Sequence, residues 1–178
     1  MNHTRQLARC GILAALSVAV LYLGSLLPGY AIVAAAAAGL LPAAAVLHGG
    51  AKRGAAAGLS VYAVSGVLGL LLLPEKAAAI WYLLVFGHYG VTKSLIERID
   101  RLQLEWLLKV FFYTLAFLVL YFLLPTAFAA LAALIPFGTV LVYLIGLAAF
   151  VLYDIGFSRL IGLYLRRIGR NIGRDKTS

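Results

Sequence analysis

Residues 54–73 read GAAAGLSVYAVSGVLGLLLL, twenty consecutive positions without a charge, set between Lys52-Arg53 and Pro74. At 1.5 Å per helical residue such a run covers about 30 Å, the thickness of bilayer hydrocarbon. Working outward, apolar runs of the same kind cover 8–27, 30–48, 77–91, 106–124 and 137–165. Helix-breaking residues fall between them: Pro28-Gly29, Gly49-Gly50, Pro74, Pro125 and Pro136. The run 77–91 is short and contains His88; the run 137–165 exceeds one simple crossing and leads into a basic tail over 166–178. Residues 127–135 are too few to cross and are expected at the surface. The expectation is an all-α integral membrane protein, one transmembrane domain over 1–178 with about six helices.

Composition agrees. Of the 178 residues 64% are apolar and 12% charged, and the mean hydropathy is +1.02. A soluble domain carries about 25% charged residues, and one of this size buries only about 70% of the surface its chain exposes. Water is therefore a poor solvent for this chain. A water-soluble enzyme, a disordered chain and a disulfide scaffold are excluded; Cys10 is the only cysteine. Arg5 and Arg9 precede the first apolar run as in a signal peptide, but the run exceeds the 7–15 residues of a signal core. It is expected to remain as a helix.

The net charge of +9 would suggest nucleic acid in a soluble protein. Here its distribution points to lipid instead. Arg5 and Arg9 precede the first helix, and Lys52 and Arg53 separate the second from the third. Lys93, Arg98, Arg101 and Lys109 surround the next connection on that side, and Arg159, Arg166, Arg167, Arg170, Arg174 and Lys176 close the chain. The opposite connections hold only Lys76. Basic residues accumulate in cytoplasmic loops, so both termini are expected in the cytoplasm, with no nucleic-acid partner.

Three groups of residues bear on function. Gly11, Ala15 and Ala19 recur every four residues on the first helix and form one small-residue stripe. Such a stripe lets a second helix approach closely, either within the bundle or from a partner membrane protein. Asp154, in the last run near its cytoplasmic edge, is expected to form a structural ion pair with Lys93, Lys109 or Arg9, from helices ending on the same side, since Arg159 lies about 140° around the helix from it. Proton coupling through Asp154 is the competing reading. Tyr30, Glu75, Trp81, Tyr82 and Tyr143 lie near the outer ends of their helices. They fit an interfacial aromatic belt or the lining of an outward-facing solute pocket. His88 and Tyr89 read as a packed polar pair or part of a ligand site.

Enzymatic signatures are absent from the sequence: no HExxH, no P-loop, no GxGxxG after a strand. His3, His48 and His88 lie in separate segments without metal-ligand spacing. No catalytic residue, metal or cofactor is expected.

The opening TRQLARCGILAALSVAV (4–20) resembles the first helix of substrate-binding S components of energy-coupling factor (ECF) transporters. The stretches LLVFGHYGVTKSLIER (83–98) and VLYDIGFSRLIGLYLRRI (151–168) look like segments of uncharacterised members of that group. The resemblance implies a binding subunit for a vitamin or related micronutrient in a bacterial or archaeal cell membrane. It also implies docking through the stripe Gly11, Ala15, Ala19 onto a transmembrane T component driven by cytoplasmic ATPase subunits. A strict AxxxA occurs only at Ala15/Ala19. The alternative is a structural or assembly protein that binds another integral protein and anionic lipid.

Overall fold

The computed structural model describes residues 3–27, 29–96, 101–123, 125–134 and 138–174. The described residues are helical throughout, apart from short turns, with no strand among them. The helices are α1 (His3–Leu26), α2 (Ala31–Ala38), α3 (Leu40–Leu72), α4 (Ala77–Trp81), a π-turn (Tyr82–Phe86), α5 (Tyr89–Ile96), α6 (Leu102–Leu123), α7 (Pro125–Leu134) and α8 (Gly138–Arg174). They group into two compact units, Met1–Leu120 and Tyr121–Ser178. The expected end of one span at Leu124, the expected start of the next at Phe137, and the basic residues Arg98 and Lys176 lie outside the described residues.

In the first unit, α1 ends at a turn closed by Tyr30 N–H donating to the Leu27 carbonyl at 3.2 Å, with Gly29 at φ +84°. That backbone region favours glycine. The long helical run α3 is not straight. A Cβ placed on Gly58 would lie 2.9 Å from the Pro42 carbonyl oxygen, sixteen residues back, and one on Gly49 would lie 2.6 Å from the Gly54 Cα. In a straight helix sixteen residues span about 24 Å. The run therefore doubles back between Gly49 and Gly54, where glycines let the two arms meet. Membrane-length spans accordingly cover Ala31–Gly49 and Arg53–Leu72, close to the runs 30–48 and 54–73 expected from sequence.

Among the described residues, five helices are long and apolar enough to cross a membrane: Thr4–Leu26, Ala31–Gly49, Arg53–Leu72, Leu102–Leu123 and Gly138–Leu163. The segment expected to span as 77–91 is divided instead into α4, the π-turn and α5. It packs against α2 and α3 at very short range. A Cβ on Gly39 would meet the Phe86 carbonyl oxygen at 2.6 Å, and one on Gly90 would meet the Ala43 Cα at 3.2 Å. The core of this unit is correspondingly small-sided: Leu21, Ala35, Ala38, Leu73, Ala78, Ala79 and Tyr82 form one cluster, Ala14, Ala45, Ala57 and Val61 another. Close approach of backbones supplies the van der Waals contact that lipid cannot supply through a hydrophobic drive.

In the second unit α7 packs on α8. The stretch expected at the surface, 127–135, falls within the ten-residue helix α7, too short to cross hydrocarbon. Gly138 enters α8 at φ +50°. Large apolar side chains remain exposed in both units, among them Leu71 at 71% and Phe122 at 72%. Lipid tails are the solvent for this surface.

Candidate functional site

Two features of the first unit stand out, an interior polar seam and an uncovered face of α1. The seam forms where the fourth segment breaks. In the π-turn Gly87 N–H donates to the Tyr82 carbonyl at 2.6 Å, five residues back. This widened turn lets the Leu83 carbonyl accept from side chains: the Tyr62 hydroxyl at 2.9 Å and, since a carbonyl only accepts, His88 Nδ1–H at 3.3 Å. The Ser65 hydroxyl donates to the Val61 carbonyl at 2.6 Å, which leaves the Tyr82 hydroxyl to donate to Ser65 Oγ, also at 2.6 Å. The Tyr62 ring lies 5.9 Å from that of Tyr82 and 6.0 Å, edge-on, from that of His88. Ser17 of α1, fully buried, donates to the Leu13 carbonyl and interacts with the Tyr82 hydroxyl.

Interrupted helix at membrane depth is tolerated only where it is buried in protein or lines a cavity. Here Tyr82 and Gly87 are buried and residues 83–86 half-buried, and no buried side-chain nitrogen or oxygen among the described residues lacks a hydrogen-bond partner. The seam fastens α4, the π-turn and α5 to α3. It presents no nucleophile beside a base, and no cluster of three metal-ligating side chains occurs among the described residues.

The face of α1 is its complement. Ala14, Ser17, Leu21, Gly24 and Ser25 are buried on one side of the helix. Ala15 and Ala19 are exposed, and a Cβ on Gly11 would meet nothing within 4 Å. The small-residue stripe read from sequence thus points away from the bundle. Ala15 and Ala19, with Val18, Tyr22, Leu23, Leu68 and Leu72, line an open groove between α1 and α3.

The residues proposed for a solute pocket have different surroundings. Tyr82 lies in the core at 0% exposure, and Trp81 packs against the same cluster. Tyr30 and Glu75 are exposed at the ends of α2 and α3, and Lys76 Nζ donates to the Leu73 carbonyl at 2.6 Å. Tyr143, half-buried, belongs to α8 in the second unit. The α1–α3 groove is lined by none of these five residues. A cavity of about 310 Å³ does occur in the second unit, lined by Tyr121, Phe122, Pro125, Phe128, Ala129 and Thr139. There the Tyr121 and Phe128 rings meet edge-to-face at 5.6 Å.

Lys93, Lys109 and Asp154, named for a structural ion pair, are all buried. Lys109 Nζ donates to Glu105 Oε1 at 2.6 Å, one turn away on α6, and lies 5.3 Å from the Trp106 ring. Glu105 was not anticipated, although its i,i+4 spacing to Lys109 is visible in the sequence. Tyr62, Ser65 and Ser17 were also missed. Their signal was a polar side chain at mid-span in helices otherwise built of Ala, Leu, Val and Gly.

The fold and its lipid-facing surface define a multi-pass helical membrane protein. Comparison with protein-family models, curated proteins and solved structures finds no match.

Proposed function

We propose that this chain is the substrate-binding membrane subunit of an ECF-type importer for a vitamin or related micronutrient. It performs no chemistry of its own and is energised by a transmembrane T component and cytoplasmic ATPase subunits. The observation that carries this reading is the uncovered α1 face. Gly11, Ala15 and Ala19 lie outward while the opposite side of α1 is buried, leaving a close-approach surface for another integral protein. The 310 Å³ aromatic cavity of the second unit adds room for a small solute, in the size range of natural ligand pockets. In this reading the chain crosses a bacterial or archaeal cell membrane about six times, counting the interrupted fourth segment, with both termini in the cytoplasm.

The test is co-purification. Tagged protein co-expressed with T and ATPase subunits is expected to retain them, and Ala15→Leu to lose them while the monomer stays folded. Failure of the wild type to associate with any such module overturns the proposal. A second reading, a structural or assembly protein, is favoured by the burial of Tyr82 in the core instead of a pocket wall. It predicts a membrane partner but no small molecule in native mass spectrometry of gently purified protein.

A further inference from the structure

Residues 121–153 contain no Asp, Glu, Lys, Arg or His. The cavity of about 310 Å³ lies among them, between the end of α6 (Tyr121, Phe122), α7 (Pro125, Phe128, Ala129) and the second residue of α8, Thr139. Phe128 is buried and forms its floor, Thr139 is half-buried, and Tyr121, Phe122, Pro125 and Ala129 are exposed around it. The three rings are contiguous: Tyr121 meets Phe128 at 5.6 Å and Phe122 at 5.9 Å between centroids, edge-to-face in each pair. Rings in mutual contact leave no gap for a guest between them. They build a wall, not the separated faces of a cage around a cation. A flat ring laid on such a wall gains stacked or edge-on contact with it.

Charge and hydroxyl placement narrow the ligand further. A carboxylate, phosphate or ammonium group entering the cavity gives up water, and no countercharge anywhere in 121–153 replaces it. Neutral polar groups do have partners, because the Tyr121 and Thr139 hydroxyls each donate and accept. Mid-helix hydroxyls are spent on the carbonyl four residues back, as those of Ser60 and Thr114 are at 2.8 Å. Thr139 is the second residue of α8, so that helix holds no carbonyl four residues before it. A lipid acyl chain uses neither a flat aromatic wall nor a hydroxyl. We propose that this cavity binds an uncharged, planar ring compound that is hydrogen-bonded at Thr139. For its biological role, as the solute carried, this ligand rests on the importer reading; its binding is measured without it.

The test is equilibrium dialysis of the full chain in phosphatidylcholine nanodiscs, with empty nanodiscs subtracting partition into lipid. The probe is naphthalene carboxamide, planar and neutral. Naphthalene carboxylate and naphthalene carboxamidinium carry the two charges on the same ring, and decalin carboxamide is neutral but puckered. Wild type is expected to take up naphthalene carboxamide saturably, at least tenfold tighter than either ion and about fivefold tighter than the decalin compound. Thr139→Val should weaken the probe about fivefold, the worth of one hydrogen bond. Ala129→Leu, which fills the cavity from an exposed position, should abolish saturable uptake, and both variants should keep the wild-type thermal midpoint. No saturable uptake by wild type overturns the site, as does unchanged uptake by Ala129→Leu. Equal affinity for an ion, or for the decalin compound as in a plain lipid groove, overturns the assigned class. A chain that retains T and ATPase subunits but takes up no probe loses this site alone. One that binds the probe yet retains no such subunit loses the importer reading alone.

Discussion

Gly39→Ala tests whether the interrupted fourth segment is locked by backbone approach. Gly39 has φ −62° and ψ −17°, a conformation alanine adopts freely, so lower entropy in the unfolded chain should stabilise the variant by about 0.4–1 kcal/mol. The added methyl would instead lie 2.6 Å from the Phe86 carbonyl oxygen and 2.9 Å from its carbon. Those atoms are backbone of the π-turn and cannot rotate away. Overpacking of this kind costs about 1–3 kcal/mol, so the net expectation is a loss of about 1–2 kcal/mol. For a chain of this length that corresponds to roughly 3–6 °C in thermal midpoint. Gly11→Ala is the matched control: its methyl meets open space, and replacing a helical glycine should stabilise by about 0.5–1 kcal/mol. Thermal unfolding in detergent, followed by tryptophan fluorescence, reads both, since Trp81 packs on the cluster beside the lock. A Gly39→Ala protein as stable as Gly11→Ala would refute the close approach and the locked fourth segment with it.

Other consequences follow from the seam, the ion pair and the stripe. Ser65→Ala removes the acceptor that the buried Tyr82 hydroxyl has at 2.6 Å but leaves Ser17 beside it, so it should cost about 0.5–1.5 kcal/mol; Tyr82→Phe removes the same bond while Ser65 keeps its own to Val61, and should cost a similar amount. No loss from either substitution in equilibrium unfolding would contradict the bond between the two hydroxyls. Glu105→Gln removes one charged partner of buried Lys109 and should cost about 1.5–3 kcal/mol, read as a lower thermal midpoint at neutral pH. Ala15→Leu should leave that midpoint within about 0.5 kcal/mol of wild type, as for other exposed sites, and act only on partner retention. Finally, accessibility labelling of single cysteines placed at each terminus should find both on the same side of the membrane.

Much of the architecture was legible because hydrocarbon thickness imposes a length and a helix imposes a period. Runs of about twenty apolar residues marked the spans, and Gly49-Gly50 marked the point where α3 doubles back. Pro28-Gly29 marked the turn after α1. The division of residues 77–96 was not legible. A π-turn is stabilised by groups far away in the chain, here Tyr62 and Ser65 on α3, so local apolarity carries no sign of it. The proposed pocket residues were chosen for their depth alone, and depth does not say whether an aromatic ring lines a cavity or fills the core, as Tyr82 does.

On α1 the limit is sharpest. Period alone established that Gly11, Ala15 and Ala19 share one stripe and that Ala14, Ser17 and Leu21 share another. The first is small throughout, whereas the second sets the large Leu21 beside Ala14 and Ser17. Which one the bundle covers depends on the surfaces of α2 and α3, brought to α1 by chain reversals at Gly29 and at Gly49–Gly54. Packing chose the stripe with Ala14 and left the glycine-alanine stripe uncovered, because burial is a property of two surfaces and a single helix supplies only one.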